Sequence, residues 1–266
     1  MNEKLHKYSV YLWGGHFMYL GRIDNVMEHA HHALQIIFNR SGKFQFRTDG
    51  PSIECGGVII GGDQRHQLVS SDDSQVHVWL DKEATDAKKI SAQHLREKEA
   101  IKIIDDSLLE RLIACVNTDN NCFDSREQAR DVYRKIVFEL AGSSSDSGDP
   151  IDPRIVTALK LLREKYLSQK LGIAEIAGNV GLSQSRLIHL FTEQIGIPIR
   201  RYVLWIRLLT AMQMSSEGKQ SLTEAAHNAG FSDAAHFSRT YRSMFGITPK
   251  GCTEKRKFVR VFSCFS

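Results

Sequence analysis

Nowhere in this chain do apolar residues run to the ~20 that a membrane-crossing helix needs, so no membrane partner is expected. The first residues lack a basic start followed by an unbroken apolar stretch, because His6, Lys7, Gly14, Gly15 and His16 interrupt it. Without an export signal, the expected location is the cytoplasm. Five cysteines (Cys55, Cys115, Cys122, Cys252 and Cys264) are odd in number and contain no CxxC pair. That argues against both a disulfide framework and a cysteine-rich zinc site, and leaves reduced thiols acting as packing residues. Neither charge sign dominates, since the net charge is only +4. The balance is uneven along the chain, however. Residues 151–266 carry 17 Lys and Arg against 8 Asp and Glu, whereas residues 1–150 carry 18 against 23. A half at +9 joined to a half at −5 points to one part meeting a polyanion.

A Ser-, Gly-, Asp- and Pro-rich stretch, AGSSSDSGDP (141–150), reads as a linker between domains. Before it, residues 8–80 hold short apolar or alternating runs punctuated by glycine, among them LQIIFNRSG, KFQFRTDG, CGGVIIGG and QVHVWL. Their spacing predicts a small antiparallel sheet or barrel. Residues 90–140 switch to helical periodicity: Ile101, Ile104, Leu108, Leu112 and Val116, then Ala129, Val132, Tyr133, Ile136, Val137 and Leu140 after a Ser125…Gln128 capping box. These helices either cover the sheet or pair with a second subunit. Beyond the linker the pattern is helical, opening at Asp152-Pro153 with proline in an allowed first-turn position.

Within that helical part lies a repeat. AEIAGNVGLS (174–183) matches TEAAHNAGFS (223–232) at an offset of 49, through Glu175/Glu224, Ala177/Ala226, Asn179/Asn228, Gly181/Gly230 and Ser183/Ser232. Afterwards the offset is 50, pairing Phe191 with Tyr241, Gly196 with Gly246 and Ile197 with Ile247, which predicts one extra residue near the start of the later helix. Each copy reads as helix, tight turn, helix. The small residue lets the second helix approach, the glycine supplies positive φ, and Ser183 and Ser232 are the expected N-caps. Ile176, Val180, Leu182, Leu187 and Leu190 fall at core positions, as do Ala225, Ala229, Phe231, Phe237 and Thr240. A helix over 198–216 would span about 28 Å, close to the ~34 Å repeat of B-DNA.

GFSDAAHFSRTYRSMFGITP (230–249) resembles the signature of the AraC/XylS family of transcription regulators, and the resemblance extends over roughly residues 152–252. It implies a DNA-binding domain of two helix-turn-helix units, a double-stranded DNA partner, and RNA polymerase as a partner of an activator. Two departures stand out: Ala235 replaces a more usual polar residue, and Lys250-Gly251-Cys252 follows Pro249 where an arginine is customary.

With Leu187, Leu190 and Phe191 facing the core, Gln184, Ser185, Arg186, Ile188 and His189 are left for the groove. With Phe237, Thr240 and Tyr241 facing the core, Ala234, Ala235, His236, Ser238 and Arg239 are left in the second helix. Arg186 and Arg239 suit guanine, whose O6/N7 edge a guanidinium matches bidentately. Ser183, Arg200, Arg201, Ser232, Arg242 and Lys250 are the expected phosphate contacts, which position without specifying.

In the N-terminal part, His29-Ala30-His31-His32…Gln35 and Gly61-Gly62-Asp63…His66 resemble the two motifs of a cupin barrel. That resemblance implies a sensing domain, and in metal-binding cupins two His, a Glu and a later His hold a divalent metal. Gln35 stands at the acidic position, so no resident metal or cofactor is expected. Three readings remain: a small-molecule effector site lined by His31, Gln35 and His66; a metal site using His29, His31 and His66; or a barrel without ligand.

The expected fold class is α+β: a small cupin-like β-barrel (1–83), a helical connector or dimerisation region (84–140), the linker (141–150), and an all-α double helix-turn-helix domain of seven helices (151–266). The expected protein is a homodimeric, nucleoid-associated regulator without enzymatic activity that answers to a small molecule. The alternatives are a metal-dependent cupin enzyme with an accessory DNA-binding tail, and a non-specific nucleic-acid binder.

Overall fold

A computed structural model describes residues 8–13, 16–23, 26–69, 74–96, 99–116, 122–123, 125–142, 151–164, 172–195, 197–216, 220–246, 248–249 and 259–263. The chain divides into two compact units: residues 1–148 with 241–266, and residues 149–240. Most of the expected linker, residues 143–150, lies outside the described residues.

The first unit is built on two sheets. The larger contains β1 (Tyr8–Trp13), β2 (His16–Leu20), β3 (Leu34–Asn39), β6 (Gly57–Ile60), β8 (Gln75–Leu80), β9 (Ile101–Ile103) and β10 (Val259–Ser263), in the order β10-β1-β2-β8-β3-β6-β9. Its ladders are antiparallel except that of β10, which pairs with β1 in parallel. The smaller sheet has the order β5-β4-β7, from β4 (Phe44–Arg47), β5 (Ile53–Cys55) and β7 (Gln67–Leu68).

Side-chain alternation explains the layering. Along β3, Ile36 and Phe38 join a core with Val76, Val78 and Leu80 of β8 and with the helices α1 (Thr85–His94), α2 (Asp106–Cys115) and α3 (Arg126–Ala141). Ile37 between them points the other way and joins Phe44, Phe46 and Leu68 of the small sheet. Both faces are covered, which is why β3 and β8 are buried throughout. β4, at the outside, alternates instead: Phe44 and Phe46 are buried, Gln45 and Arg47 exposed. Helices α2 and α3 bury their apolar stripes on this core. Asp105 and Ser125 cap them by accepting from the backbone N–H of Leu108 and Gln128.

One expectation is corrected here. Ile101 and Ile104 do not start a helix: residues 101–103 form β9 on the edge of β6, and α2 begins at Asp106. The spacing was compatible with either structure, and pairing with Val58–Ile60 decides it.

Beyond residue 150 the described residues hold six helices: α4 (Pro153–Glu164), α5 (Ile173–Asn179), α6 (Gln184–Ile195), α7 (Ile199–Ser216), α8 (Leu222–Asn228) and α9 (Ala234–Phe245). Pro153 opens α4, with Asp152 accepting from the N–H of Arg154 at 2.9 Å. Ile155, Leu159, Leu162, Ile176, Leu187, Phe191, Tyr202 and Ile206 fill one core. α7, with 18 residues, is about 27 Å long.

Candidate nucleic-acid interface and histidine cluster

The two repeat copies fold as two helix-turn-helix units with the same turn. In the first, Leu182 N–H donates to Ala177 O at 2.9 Å; in the second, Phe231 N–H donates to Ala226 O at 3.0 Å. Gly181 and Gly230 sit at φ +68° and +90°, where a side chain is strained. Ala177 and Ala226, each 1% exposed, let the second helices close on the first. The repeated glutamates have a common task. Glu175 accepts from Gly172 N–H at 2.8 Å and Glu224 from Ser221 N–H at 2.7 Å, each fastening the start of a first helix.

Two details of the reading are corrected. Ser183 caps α6, accepting from Arg186 N–H at 3.2 Å, but the cap of α9 is Asp233, which accepts from His236 N–H at 2.6 Å. Ser232 instead lies against Asp233 and His236 at 3.0 and 3.1 Å. α6 and α9 are both 12 residues long, so the extra residue belongs to the second turn and not to its helix. Counted from the caps, Ser183 and Asp233, the helices align residue for residue.

Gln184, Ser185, Arg186, Ile188 and His189 all lie on α6 and are exposed. Gln184, Ser185, Ile188, His189 and Thr192 line a shallow concavity of that surface. On α9, Ala234, Ala235, Ser238 and Arg239 are exposed, while His236 is half-buried against Phe231 with its ring at 5.3 Å. Ser183, Ser232, Arg200, Arg201 and Arg242 are exposed; Lys250 lies outside the described residues. The residues assigned to the core, Leu187, Leu190, Phe191, Phe237, Thr240 and Tyr241, are buried.

The first unit holds a second constellation. On the β3–β8 face turned towards the small sheet, Gln35, Gln75, His77 and Trp79 stand together, and His29, His31 and His66 converge beside them. An isolated bridge between His29 and His66 brings the two motifs side by side, with the rings 4.3 Å apart. His31, Gln35 and His66 are each at most 3% exposed. His31 Nε2 lies 2.9 Å from Gln35 Oε1, and Trp79 N–H donates to that same nitrogen at 3.3 Å.

The tautomers follow from the carbonyls. Nδ1 of His29, His31 and His66 faces Met27 O, Ala33 O and Gln64 O at 2.9, 3.0 and 2.9 Å. A carbonyl only accepts, so each Nδ1 carries the proton and each Nε2 is left as an acceptor, that of His31 taking the Trp79 N–H. Burial holds all three rings below the usual histidine range, His29 at about 3 with a further push from His31. They are neutral, as metal ligands must be. His66 Nε2 is buried without a hydrogen-bond partner. One ring nitrogen from each histidine lies within 4.8 Å of the others, and a tetrahedral ion with bonds of about 2.0–2.1 Å holds its nitrogens roughly 3.3 Å apart. These residues fit a divalent metal, with Gln35 as a neutral fourth donor.

His32 turns away from the cluster. Burial opposes its protonation, but hydrogen bonds to Asp63 (3.4 Å) and Glu83 outweigh it and raise the ring to about 9. Sequence reasoning found His29, His31, Gln35 and His66 but missed His77 and Gln75. The signal was in QVHVWL, where residues 75, 77 and 79 share one strand face.

A duplicated helix-turn-helix whose second helices expose polar faces defines a class of DNA-binding proteins. Residues 176–255 match the family model described as a helix-turn-helix domain. The arabinose operon regulatory protein of Escherichia coli (strain K12) is 32% identical over 116 residues, 42% of this chain and 40% of that protein. The probable transcriptional regulator LumQ of Photobacterium leiognathi is 35% identical over 97 residues, 36% of this chain and 38% of that protein. ToxT from Vibrio cholerae shares the fold, with a TM-score of 0.55 at 13% identity, covering 91% of this chain and 99% of that one. The helix-turn-helix region is thus of the AraC type. The chain spans about two fifths of the length of these two curated relatives.

Proposed function

We propose that the protein is a sequence-specific DNA-binding transcription regulator of the AraC type, in which α6 and α9 enter successive major-groove segments. The observation that carries this reading is the pair of equal helices, each delivered by the same glycine turn and each leaving a polar face exposed. Arg186 and Arg239 read guanines; Gln184, Ser185, Ile188, His189, Ala234, Ala235, His236 and Ser238 complete the base-facing sets. Ser183, Arg200, Arg201, Ser232, Arg242 and Lys250 hold phosphates. The protein works as a homodimer, and RNA polymerase is its partner at activated promoters. No described helix is long and apolar enough to cross a membrane.

The sheet-bearing part receives the signal, with His31, Gln35 and His66 in the effector site. ToxT has been solved with an unsaturated fatty acid bound. Here the buried cluster is polar, which favours a ligand with donor-seeking chemistry over an acyl chain. The cupin-enzyme alternative would need a general base beside the histidines.

Genome-wide mapping of binding sites, followed by gel shifts on the recovered operator, tests the reading. Arg239→Ala is expected to weaken operator binding by about 1–3 kcal/mol and to relax one base position. Unchanged affinity and unchanged base preference would remove Arg239 from the interface.

A further inference from the structure

Aligned from their caps, α6 and α9 carry the same two side chains in opposite order. Ser183 and Asp233 open these helices, each accepting the N–H three residues on. The third residue after the cap is Arg186 in α6 and His236 in α9; the sixth is His189 in α6 and Arg239 in α9. Residues three apart on a helix lie on nearly the same face, so both positions can meet one groove. They stand about 4.5 Å apart along the axis, somewhat more than the ~3.4 Å between successive base pairs.

The surroundings reinforce this reversal. Arg186, His189 and Arg239 are exposed, whereas His236 is half-buried, with its ring 5.3 Å from that of Phe231 and its Nδ1 3.1 Å from Ser232 Oγ. The third position of α9 is thus engaged with its own turn. In α6, His189 lines the concavity with Ile188 and Thr192, and Arg186 is not part of its wall. The Thr192 hydroxyl donates to Ile188 O at 2.9 Å, so its polar end is already used within the helix. At the place of Thr192, α9 has Arg242. Positive charge therefore sits at the leading turn of α6 but further along α9.

We infer that the two groove segments read by one subunit are unlike in register: Arg186 takes a guanine at the leading turn of α6, with His189 and Ile188 on the base pairs beyond it, whereas Arg239 takes its guanine about one to two base pairs further along its own helix. This rests on the DNA-binding reading above and names the pair of positions that sets specificity. Chemistry separates the two side chains. A guanidinium meets guanine O6 and N7 with parallel bonds, but the nitrogens of an imidazole diverge and cannot do so. Ile188, 37% exposed beside His189, suits a thymine methyl. The first segment is accordingly guanine followed by A·T-tolerant pairs, and the second keeps its guanine where the first does not.

The test lets the full chain select from a pool of random-sequence duplexes, and the bound fraction is sequenced. The parent is expected to enrich a two-part motif with a guanine in each part. Exchanging the pair in α6, Arg186→His with His189→Arg, gives it the order of α9 at two exposed sites. The spacing between the two guanines should then change by about one to two base pairs, with the second part unaltered. Arg186→Ala should lose the first guanine, at a cost of roughly 5- to 150-fold in discrimination there. His189→Ala should keep that guanine and lose only the preference next to it. Thermal melts matching the parent exclude a folding defect. An exchange variant that enriches the parent's motif, or a first guanine that survives Arg186→Ala, would overturn the register assignment while leaving DNA recognition intact. A parent that enriches no motif would overturn both, so the two failures are distinguishable.

Discussion

His16 lies against the Tyr133 ring, stacked at 4.3 Å, and burial followed by repulsion from Arg130 lowers its pKa to about 4. The sign follows directly. An unfolded chain takes up this proton near pH 6.5 and the folded one only near 4, so protonation favours unfolding. The stability is complete above 6.5 and is lost as pH falls towards 4. Urea unfolding from pH 7 to 4 is expected to show an acid limb that His16→Phe flattens, by up to about 3 kcal/mol at the acid end. At Gly181 the test concerns the backbone alone, since nothing lies within 4 Å of an added Cβ while φ is +68°. Gly181→Ala should lower stability by about 1–2 kcal/mol in denaturant titrations. These glycines were legible because few residues tolerate positive φ in a tight turn. The cap of α9 was not. Ser232 and Asp233 are both good caps, adjacent in sequence, and only the hydrogen bond to His236 separates them.

The helix-turn-helix units were readable as elements because duplication marks them twice. A chance pattern of small residues does not repeat with its capping glutamates. Ser221 and Glu224 form a reciprocal box at the start of α8, and Ser221→Ala is expected to cost about 1 kcal/mol in thermal or denaturant melts of the full chain. Little change in stability would mean that Glu224 alone secures that end. The strand at 101–103 was hidden for a physical reason: a three-residue edge strand is too short to show a period, and its identity depends on the partner it meets. Likewise the burial of β3 on both faces blurred its alternation, whereas Gln75, His77 and Trp79 of β8 kept theirs.

At the scale of the whole molecule, charge asymmetry makes a quantitative claim. If Arg200 meets a phosphate, Arg200→Ala should weaken binding to all sequences alike and reduce the slope of log affinity against log salt by about 1. Gel shifts at several salt concentrations measure it, and an unchanged slope would return Arg200 to the solvated surface. Sequence disclosed the two textures of the chain and the basic half. It did not disclose that residues from 241 onwards belong with the first unit, since nothing local announces a partner more than two hundred positions away.

The parallel pairing of β10 with β1 bears on how the protein is cut for study. A fragment ending near residue 148 would bare one side of β1, and a fragment from 151 to 266 would carry β10 with no neighbour. Unpaired strand edges recruit other chains, so both convenient halves invite clumping in solution. A helical piece stopped at Pro249 escapes that hazard, whereas the sheet-bearing half is best handled only within the intact polypeptide.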